Sequence, residues 1–358
     1  MEKDTAVAGR EDKPSFNGVG EFTATVLSPT KLYANGRQQI YLEVLITTML
    51  DGEPYDLKDS EKNSIRLVNY TSEAELSAGW KYSEDRDENY EFYSEPGREA
   101  SSAPHSPTTT RVGRYVRNMY VTTTDDAGLS RKLALAITRE SDGLVIIANS
   151  NNDSDFPSLD YAVIVEPQRL PAYTTNNYTF EKQRVSGAEG SPVFIDNYYV
   201  GLITNNNVPV AFKEMQIKGD DDEIKPGGMA KWEDKDPDET FASYVGYGEP
   251  GDSKAHYNPN IVLGTHVKEE TVRSPIANKG TIILVGDVDI DFHADSANLH
   301  GGPCTVNAVD ANGNGHTFYI RFGKSAANAE EPAVGADEPA ADAEEPGGAS
   351  RFDLTLYT

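Results

Sequence analysis

Short segments in which apolar and polar residues alternate recur along almost the whole chain, and this period of two is what most constrains the fold. Successive side chains of a β-strand point to opposite faces, so the run at 40–46 places Ile40, Leu42 and Val44 on one face. Comparable segments occur at 22–26, 115–124, 133–137, 178–185, 193–202, 208–217, 280–292, 304–309 and 316–322, and short apolar runs at 144–147 and 161–165 predict buried strands. Turn residues separate them at intervals of about 8 to 12 residues, which predicts an all-β protein of the sandwich or barrel type.

Length and charge narrow the function classes. At roughly 150 residues per domain, 358 residues predict two or three domains. Lys and Arg total 32 against 58 Asp and Glu, so the net charge at pH 7 is −26. Affinity for nucleic acid comes largely from Lys and Arg that displace counterions from phosphates, so this balance argues against a nucleic-acid partner.

The distribution of apolar residues allows a prediction of where the protein is located. No stretch approaches the roughly 18 consecutive apolar residues of a membrane span. Residues 1–18 lack the basic start and the apolar core of a secretory signal peptide. We therefore expect no membrane span, and either a cytoplasmic location or export by a route other than Sec.

Composition shifts divide the chain into parts. Polar, aperiodic residues at 1–19 predict a disordered arm, and the strand pattern predicts β-domains at 20–172 and 173–358. One short helix is expected at 57–65, with Asp56 as its N-cap. Residues 219–239 hold nine acids and residues 325–350 hold seven acids and no base, so both are expected to be exposed acidic loops, the second one disordered.

The last residues alternate again after the acidic tract at 325–350. Phe352, Leu354 and Leu356 share one face of a predicted terminal strand. A terminal strand normally persists because it pairs with a sheet, so we expect the tract to be an insertion between two strands of the C-terminal domain. The alternative is a tethered strand donated to another subunit, which would produce self-assembly.

Residues 25–57 carry a family resemblance. Ala34-Asn35-Gly36, a polar pair, a long alternating strand at 40–48 and then Asp51-Gly52-Glu53-Pro54 follow one another. This order resembles the first strands of bacterial immunoglobulin-like domains of the invasin and intimin type. The resemblance covers about a tenth of the chain. It implies an immunoglobulin-like β-sandwich and an adhesive or spacing role, and it does not point to any particular activity.

A row of carboxylates is the strongest metal candidate. Asp287, Asp289 and Asp291 alternate with apolar residues, so a strand would place all three on one face. Oxygen ligands in such a row suit Ca²⁺, and the alternative is a solvated outer face. His293, His300 and Cys304 with a nearby Asp form a weaker zinc candidate, because their spacing is no standard one.

Two further motifs have a plainer interpretation. Gly187-Ala188-Glu189-Gly190 before Ser191-Pro192 is similar to the nucleophile loop of trypsin-like proteases, but Glu189 stands in the serine position, which favours a turn that enters a strand. The segment at 310–315 matches the opening of an EF-hand loop, yet Arg321 stands where the bidentate Glu belongs, so a hairpin turn is expected.

These patterns favour a non-catalytic binding or structural protein of bacterial or phage-like origin. It would recognise a protein or carbohydrate partner through loops or sheet edges, with Tyr198, Tyr199, Phe352, Leu354 and Leu356 as candidate contact residues. One alternative is a component of a toxin or secreted particle that assembles by strand pairing. A weaker alternative is a hydrolase with an unfamiliar site.

Overall fold

The computed structural model describes residues 14–94, 111–125, 127–149, 159–218, 229–236, 239–258, 271–288, 303–323 and 350–358. The chain divides into two compact units, Met1–Leu170 and Pro171–Thr358. Both units are built of β-strands arranged mainly in antiparallel sheets, which confirms the all-β fold class. No helix in the described residues is long and apolar enough to cross a membrane.

The N-terminal unit contains two sheets. Its elements are β1 (Gly18–Val26), β2 (Lys31–Tyr33), β3 (Ile40–Leu50), β4 (Glu53–Pro54), α1 (Asp59–Asn63), β5 (Arg66–Asn69), β6 (Trp80–Ser83), β7 (Arg114–Thr123), β8 (Arg131–Thr138), β9 (Val145–Ile147) and β10 (Val163–Gln168). The first sheet has the order β1-β3-β7-β6, with β4 paired to β3, and the second has the order β2-β10-β8-β5, with β9 paired to β8. All of these pairings are antiparallel except that of β2 with β10, which is parallel.

One core fills the space between these two sheets. Phe22, Ile40 and Leu42 of the first sheet are fully buried, and Leu135 and Val165 of the second sheet join the same cluster. The alternation of β3 therefore acts as predicted, because its apolar face meets the facing sheet. In β9 the prediction of a buried strand is only partly right: Ile146 is buried, whereas Val145 is 40% exposed.

Two expectations for the start of this unit are wrong. Phe16 is 0% exposed within the core and β1 already begins at Gly18, so residues 14–19 are not a disordered arm; residues 1–13 lie outside the described residues. The helix occupies the predicted place, but its N-cap is Lys58. The carboxylate of Asp56 instead accepts a hydrogen bond from the Gly113 backbone N–H at 2.8 Å.

The C-terminal unit also contains two sheets. Its strands are β11 (Tyr178–Ser186), β12 (Phe194–Ile203), β13 (Pro209–Val210), β14 (Phe212–Ile217), β15 (Lys231–Asp236), β16 (Glu239–Gly248), β17 (Gly280–Val288), β18 (Cys304–Asp310), β19 (Gly315–Phe322) and β20 (Leu354–Tyr357), and a 3-10 turn lies at Thr175–Asn177. One sheet has the order β11-β12-β17-β16-β15, with β13 paired to β12, and the other has the order β14-β18-β19-β20. Their facing sides share a core that includes Phe194, Leu284, Phe318 and Leu354.

The prediction of an exposed acidic loop at 219–239 is wrong where the structure describes it. Strand β15 occupies Lys231–Asp236, and Lys231 and Glu233 are buried, with their charged groups 3.1 Å apart. The sequence pattern hid this strand because its polar residues form an ion pair inside the protein instead of facing water. Residues 219–228, 237 and 238 lie outside the described residues.

The terminal strand pairs with its own chain. β20 lies antiparallel to β19, with Leu356 opposite Ile320. The Lys182 ammonium group contacts the Phe352 carbonyl oxygen at 2.8 Å and a carboxylate oxygen of Asp353 at 2.6 Å, which fixes the start of the strand. The chain between β19 and β20 therefore connects neighbouring strands; of the predicted loop at 325–350, only Ser350 is described.

Candidate functional site

A cleft of about 450 Å³ lies in the N-terminal unit, where β3, β4, α1 and the start of β7 meet. The lining residues combine cations, phenols and apolar groups: Thr48, Tyr55, Asp56, Leu57, Lys62, Arg111, Val112, Gly113, Arg114 and Tyr115. Three of these side chains are cationic and one is acidic, in a chain whose net charge is −26. We refer to these ten residues as the basic cleft.

Gly113 lies where two backbone segments that line the basic cleft come close together. Its φ of +74° is left-handed, and a Cβ atom at this position would lie 2.7 Å from Cβ of Pro54 and 3.0 Å from the carbonyl oxygen of Thr48. The Gly113 carbonyl oxygen accepts a hydrogen bond from the Thr48 N–H at 2.9 Å. Glycine is therefore required here both by conformation and by the close approach of two backbones.

Arg111 and Arg114 lie side by side at the cleft. They form an isolated antiparallel bridge, and the Arg114 N–H donates to the Arg111 carbonyl oxygen at 3.0 Å. Directly opposed residues in such a pair project to the same side, with Cβ atoms about 5 Å apart. The two arginine side chains consequently leave the turn from adjacent positions on the same side.

Helix α1 supplies Lys62 and is held from two directions. The Arg117 guanidinium donates to the carbonyl oxygens of Lys62 and Ile65 at 3.1 and 3.2 Å. At the other end, the carboxylate of Glu61 is 0% exposed and accepts from the Lys58 N–H at 3.0 Å and from the Ser15 hydroxyl. These contacts fix the helix although it has only five residues.

The two tyrosines of the basic cleft stay protonated at neutral pH. Burial raises the pKa of Tyr115, whose ring centroid lies 5.7 Å from the Lys62 ammonium nitrogen. Burial and the nearby Glu61 carboxylate raise the pKa of Tyr55. Both phenols are therefore neutral groups that can offer a ring face to a ligand, and the Tyr115 hydroxyl can also offer a hydrogen bond.

Sequence reasoning did not identify this cleft. The available signal is the run Arg111, Arg114 and Arg117 in an acidic chain, which follows a stretch rich in Ser, Pro and Thr. Within β7, Arg114 and Arg117 point to opposite faces because their spacing is odd. Only the pairing of strands and the turn at Gly113 show which of these arginines share a surface.

The predicted acidic row lies only partly within the described residues. Asp287 is in β17 and is 0% exposed, so it does not lie on a solvated outer face; Asp289 and Asp291 are outside the described residues. Glu233 and Asp287 both stand opposite Ala242, on the same side of the sheet. Where the structure describes the chain, no group of three or more His, Cys, Asp or Glu side chains could hold a metal ion. A calcium site on this row stays a prediction.

Most of the predicted contact residues lie inside the C-terminal unit. Tyr198 and Tyr199 are each 3% exposed, and Leu354 and Leu356 are buried between the sheets. None of these four side chains can therefore form surface contacts in this fold. Tyr198, Leu354 and Leu356 belong to the core between the sheets, whereas Tyr199 points to the opposite face of β12, where its hydroxyl donates to the Ser274 carbonyl oxygen at 2.9 Å. Phe352 is 37% exposed and packs 5.6 Å from the Phe194 ring.

The segment at 310–315 forms the expected hairpin turn between β18 and β19. Oδ1 of Asp310 accepts from the N–H groups of Asn312 and Asn314 at 2.8 and 2.9 Å. Its Oδ2 lies 3.2 Å from Nε2 of His316, and Nδ1 of His316 lies 2.9 Å from the Tyr178 hydroxyl. The Asp310 carboxylate thus stabilises the turn by accepting hydrogen bonds. In an EF-hand loop the corresponding carboxylate would instead bind a cation.

The protease-like loop is also a turn. Gly187 and Gly190 have φ angles of +82° and +78°, and the Ser191 hydroxyl donates to the Val193 carbonyl oxygen at 2.8 Å. Strand β12 follows at Phe194. The loop therefore forms a turn that leads into a strand, as expected.

Cys304, a candidate zinc ligand, is buried in the core of the C-terminal unit. Its sulfur accepts a hydrogen bond from the Ala230 N–H at 3.1 Å, and burial raises the pKa of the thiol to about 12. His293 and His300, the other zinc candidates, lie outside the described residues. A zinc site at these residues stays a prediction.

We expect native Cys304 to resist alkylation by iodoacetamide at pH 8, because the thiolate is the reactive form and the sulfur is inaccessible. The modified fraction is measured by intact mass at intervals over several hours, in buffer and in denaturant. The denatured chain serves as the control and should react fully. Rapid modification of the native chain would contradict the buried, protonated thiol.

Comparison with known proteins found no matching family model and no curated relative.

Proposed function

We propose that this chain is a non-catalytic recognition protein whose N-terminal unit is an immunoglobulin-like module that presents the basic cleft to a partner. The observation that carries the proposal is the strand order of that unit. Folds of this kind serve many functions, and the function resides in sites formed by the loops and edges.

The strand order supports the immunoglobulin-like assignment. Apart from the two- and three-residue strands β2, β4 and β9, seven strands remain among the described residues of the N-terminal unit. Lettered A to G in chain order, they form one sheet with the order A-B-E-D and one with the order C-F-G. This is the arrangement of constant-type immunoglobulin domains. It agrees with the motif resemblance at residues 25–57.

The chemistry of the basic cleft favours binding over reaction. Its cations attract a ligand, and its phenols have raised pKa values, so they are hydrogen-bonding groups and not nucleophilic phenolates. The Thr48 hydroxyl donates to the Tyr55 carbonyl oxygen at 2.6 Å and so is occupied by the backbone. Such a lining holds a ligand by charge and shape.

The test is a binding screen with the full chain on arrays of glycans and peptides. Each ligand that binds is then incubated with the chain for a day and examined by mass spectrometry. We expect stoichiometric binding and recovery of the ligand unchanged. Steady conversion of the ligand to a product would show that the protein is an enzyme and would overturn the proposal.

A matched pair of glycine variants locates the binding surface. Gly113→Ala places a methyl group against Pro54 and Thr48, so it should distort the cleft wall and lower affinity at least tenfold. Gly52→Ala has a comparable conformational cost, because Gly52 has a φ of +86°, but no atom lies within 4 Å of the added carbon. Equal affinities of the two variants would show that the partner binds elsewhere.

A further inference from the structure

We propose that the basic cleft binds the carboxylate of an acidic sugar, with Arg111 and Arg114 on the carboxylate and the tyrosines against the sugar ring. This inference rests on the proposed function and names the class of ligand for the same site.

The first step is the charge of the ligand. Arg111 and Arg114 project from adjacent positions of one tight turn, whereas the ammonium group of Lys62, in the same cleft, already lies 3.1 Å from the Asp59 carboxylate. A guanidinium group matches a carboxylate through two parallel hydrogen bonds, and an anion placed between two such groups is attracted by both. The acid of the cleft, Asp56, directs one carboxylate oxygen to the Gly113 N–H. A carboxylate ligand therefore fits the charge of the cleft.

The second step is the size and the apolar part of the ligand. A volume of about 450 Å³ lies within the range of small-molecule sites, about 300–1,000 Å³, and suits one or two sugar rings. Tyr55 and Tyr115 contribute ring faces with hydroxyl groups at their ends. Val112, which is 70% exposed, adds an apolar lip. This mixture of flat apolar faces and polar edges is complementary to a pyranose ring, which has apolar faces and hydroxyl groups at its edge.

The third step separates a sugar from an extended peptide. A peptide usually binds by adding a strand to a sheet edge, where its backbone needs a row of partners. The strand beside the cleft, β4, has two residues, and one of them is Pro54, which has no N–H to donate. The wall of the cleft therefore offers too few backbone groups for an added strand.

The experiment titrates the full chain with trigalacturonate by isothermal calorimetry. The matched control ligand is trigalacturonate methyl ester, which keeps the rings and masks the carboxylates. We expect the ester to bind at least tenfold more weakly than the acid, and the affinity for the acid to fall as the salt concentration rises from 20 to 200 mM. Equal binding of acid and ester would overturn the proposal.

Protein variants assign the binding to the two arginines. Arg111→Ala and Arg114→Ala should each weaken binding of trigalacturonate at least tenfold, and Arg111→Lys should fall between them and the wild type because it keeps the charge but loses the paired hydrogen bonds. Arg169→Ala is the control, since Arg169 is an exposed arginine of the same unit outside the cleft. Unchanged thermal midpoints show that the variants fold. Wild-type affinity in both alanine variants would overturn the assignment.

The remaining outcomes separate this inference from the proposed function. Tighter binding of triglutamate than of trigalacturonate would reject the sugar and leave a recognition protein for acidic peptides. No binding of trigalacturonate by a chain that binds another ligand of the screen would reject the ligand class alone. Cleavage of trigalacturonate would reject the proposed function itself.

Discussion

Replacement of Asp310 with alanine is expected to lower the free energy of unfolding of the C-terminal unit by about 4 kcal/mol. The carboxylate is 0% exposed and accepts hydrogen bonds from two backbone N–H groups, from Nδ2 of Asn314 and from Nε2 of His316. Alanine would leave these donors buried without their acceptor. An unsatisfied buried donor costs about 1–3 kcal/mol, and the losses within one network are not additive.

The effect is measured by urea denaturation followed through tryptophan fluorescence. Each unit contains one tryptophan, Trp80 and Trp232, so a Trp80→Phe background reports on the C-terminal unit alone. The matched control is Asp252→Ala, because Asp252 also accepts a backbone N–H in a turn, from Lys254 at 3.0 Å, but is exposed. We expect the control to change stability by less than about 1 kcal/mol. Equal losses would contradict the role of the buried network.

Replacement of Glu61 with alanine should destabilise the N-terminal unit by about 3 kcal/mol. Its buried carboxylate joins three parts of the chain: the Ser15 hydroxyl, the first turn of α1 through the Lys58 N–H, and the Glu140 N–H at 3.3 Å. The Tyr55 hydroxyl lies 3.4 Å from the same carboxylate. Alanine would leave these donors without an acceptor, and it would release α1 and Tyr55 from the position that shapes the basic cleft.

A Trp232→Phe background isolates the signal of Trp80 for this measurement. Glu53→Ala, which removes an exposed glutamate from β4 in the same unit, is the control and should leave the urea midpoint nearly unchanged. We also expect Glu61→Ala to weaken any ligand of the cleft under conditions where the variant is still folded. A midpoint equal to that of Glu53→Ala would show that the carboxylate does not hold the helix.

Strands with strict alternation could be predicted from the sequence because one cause, burial of one face, acts on every second residue. In β3 the predicted face is the buried face, and the Asn35-Gly36 and Asp51-Gly52 pairs turn with φ angles of +73°, +55° and +86° at Gly36, Asp51 and Gly52. Helix α1 was also placed correctly. Its cap was not, because the Asp56 carboxylate accepts a hydrogen bond from the Gly113 N–H, in a turn distant in sequence, and Lys58 occupies the cap position.

Strands whose polar residues are buried could not be predicted in the same way. Residues 231–236 carry charges typical of a loop, yet Lys231 and Glu233 pair inside the protein. β16 was missed for a related reason. Ala242 and Val245 lie on opposite faces of this strand and both are 0% exposed. Both faces are therefore buried, and the strand lacks the alternation between a buried and an exposed face that would have revealed it. The outer face of its sheet is covered by residues around Ala255 and Val272, which the local pattern does not reveal.

The sequence by itself determined that the chain is all-β, where most of its strands and turns lie, and that its net charge is −26. Strand and turn positions depend on local sequence patterns, and net charge is a sum over residues, so both can be obtained without the tertiary structure. Only the tertiary structure decided that Arg111 and Arg114 share a surface with Lys62 and two tyrosines, and that Tyr198 and Tyr199 are both buried. Such juxtapositions depend on which strands pair and which sheets face each other, and residues far apart in sequence meet only when the whole chain folds.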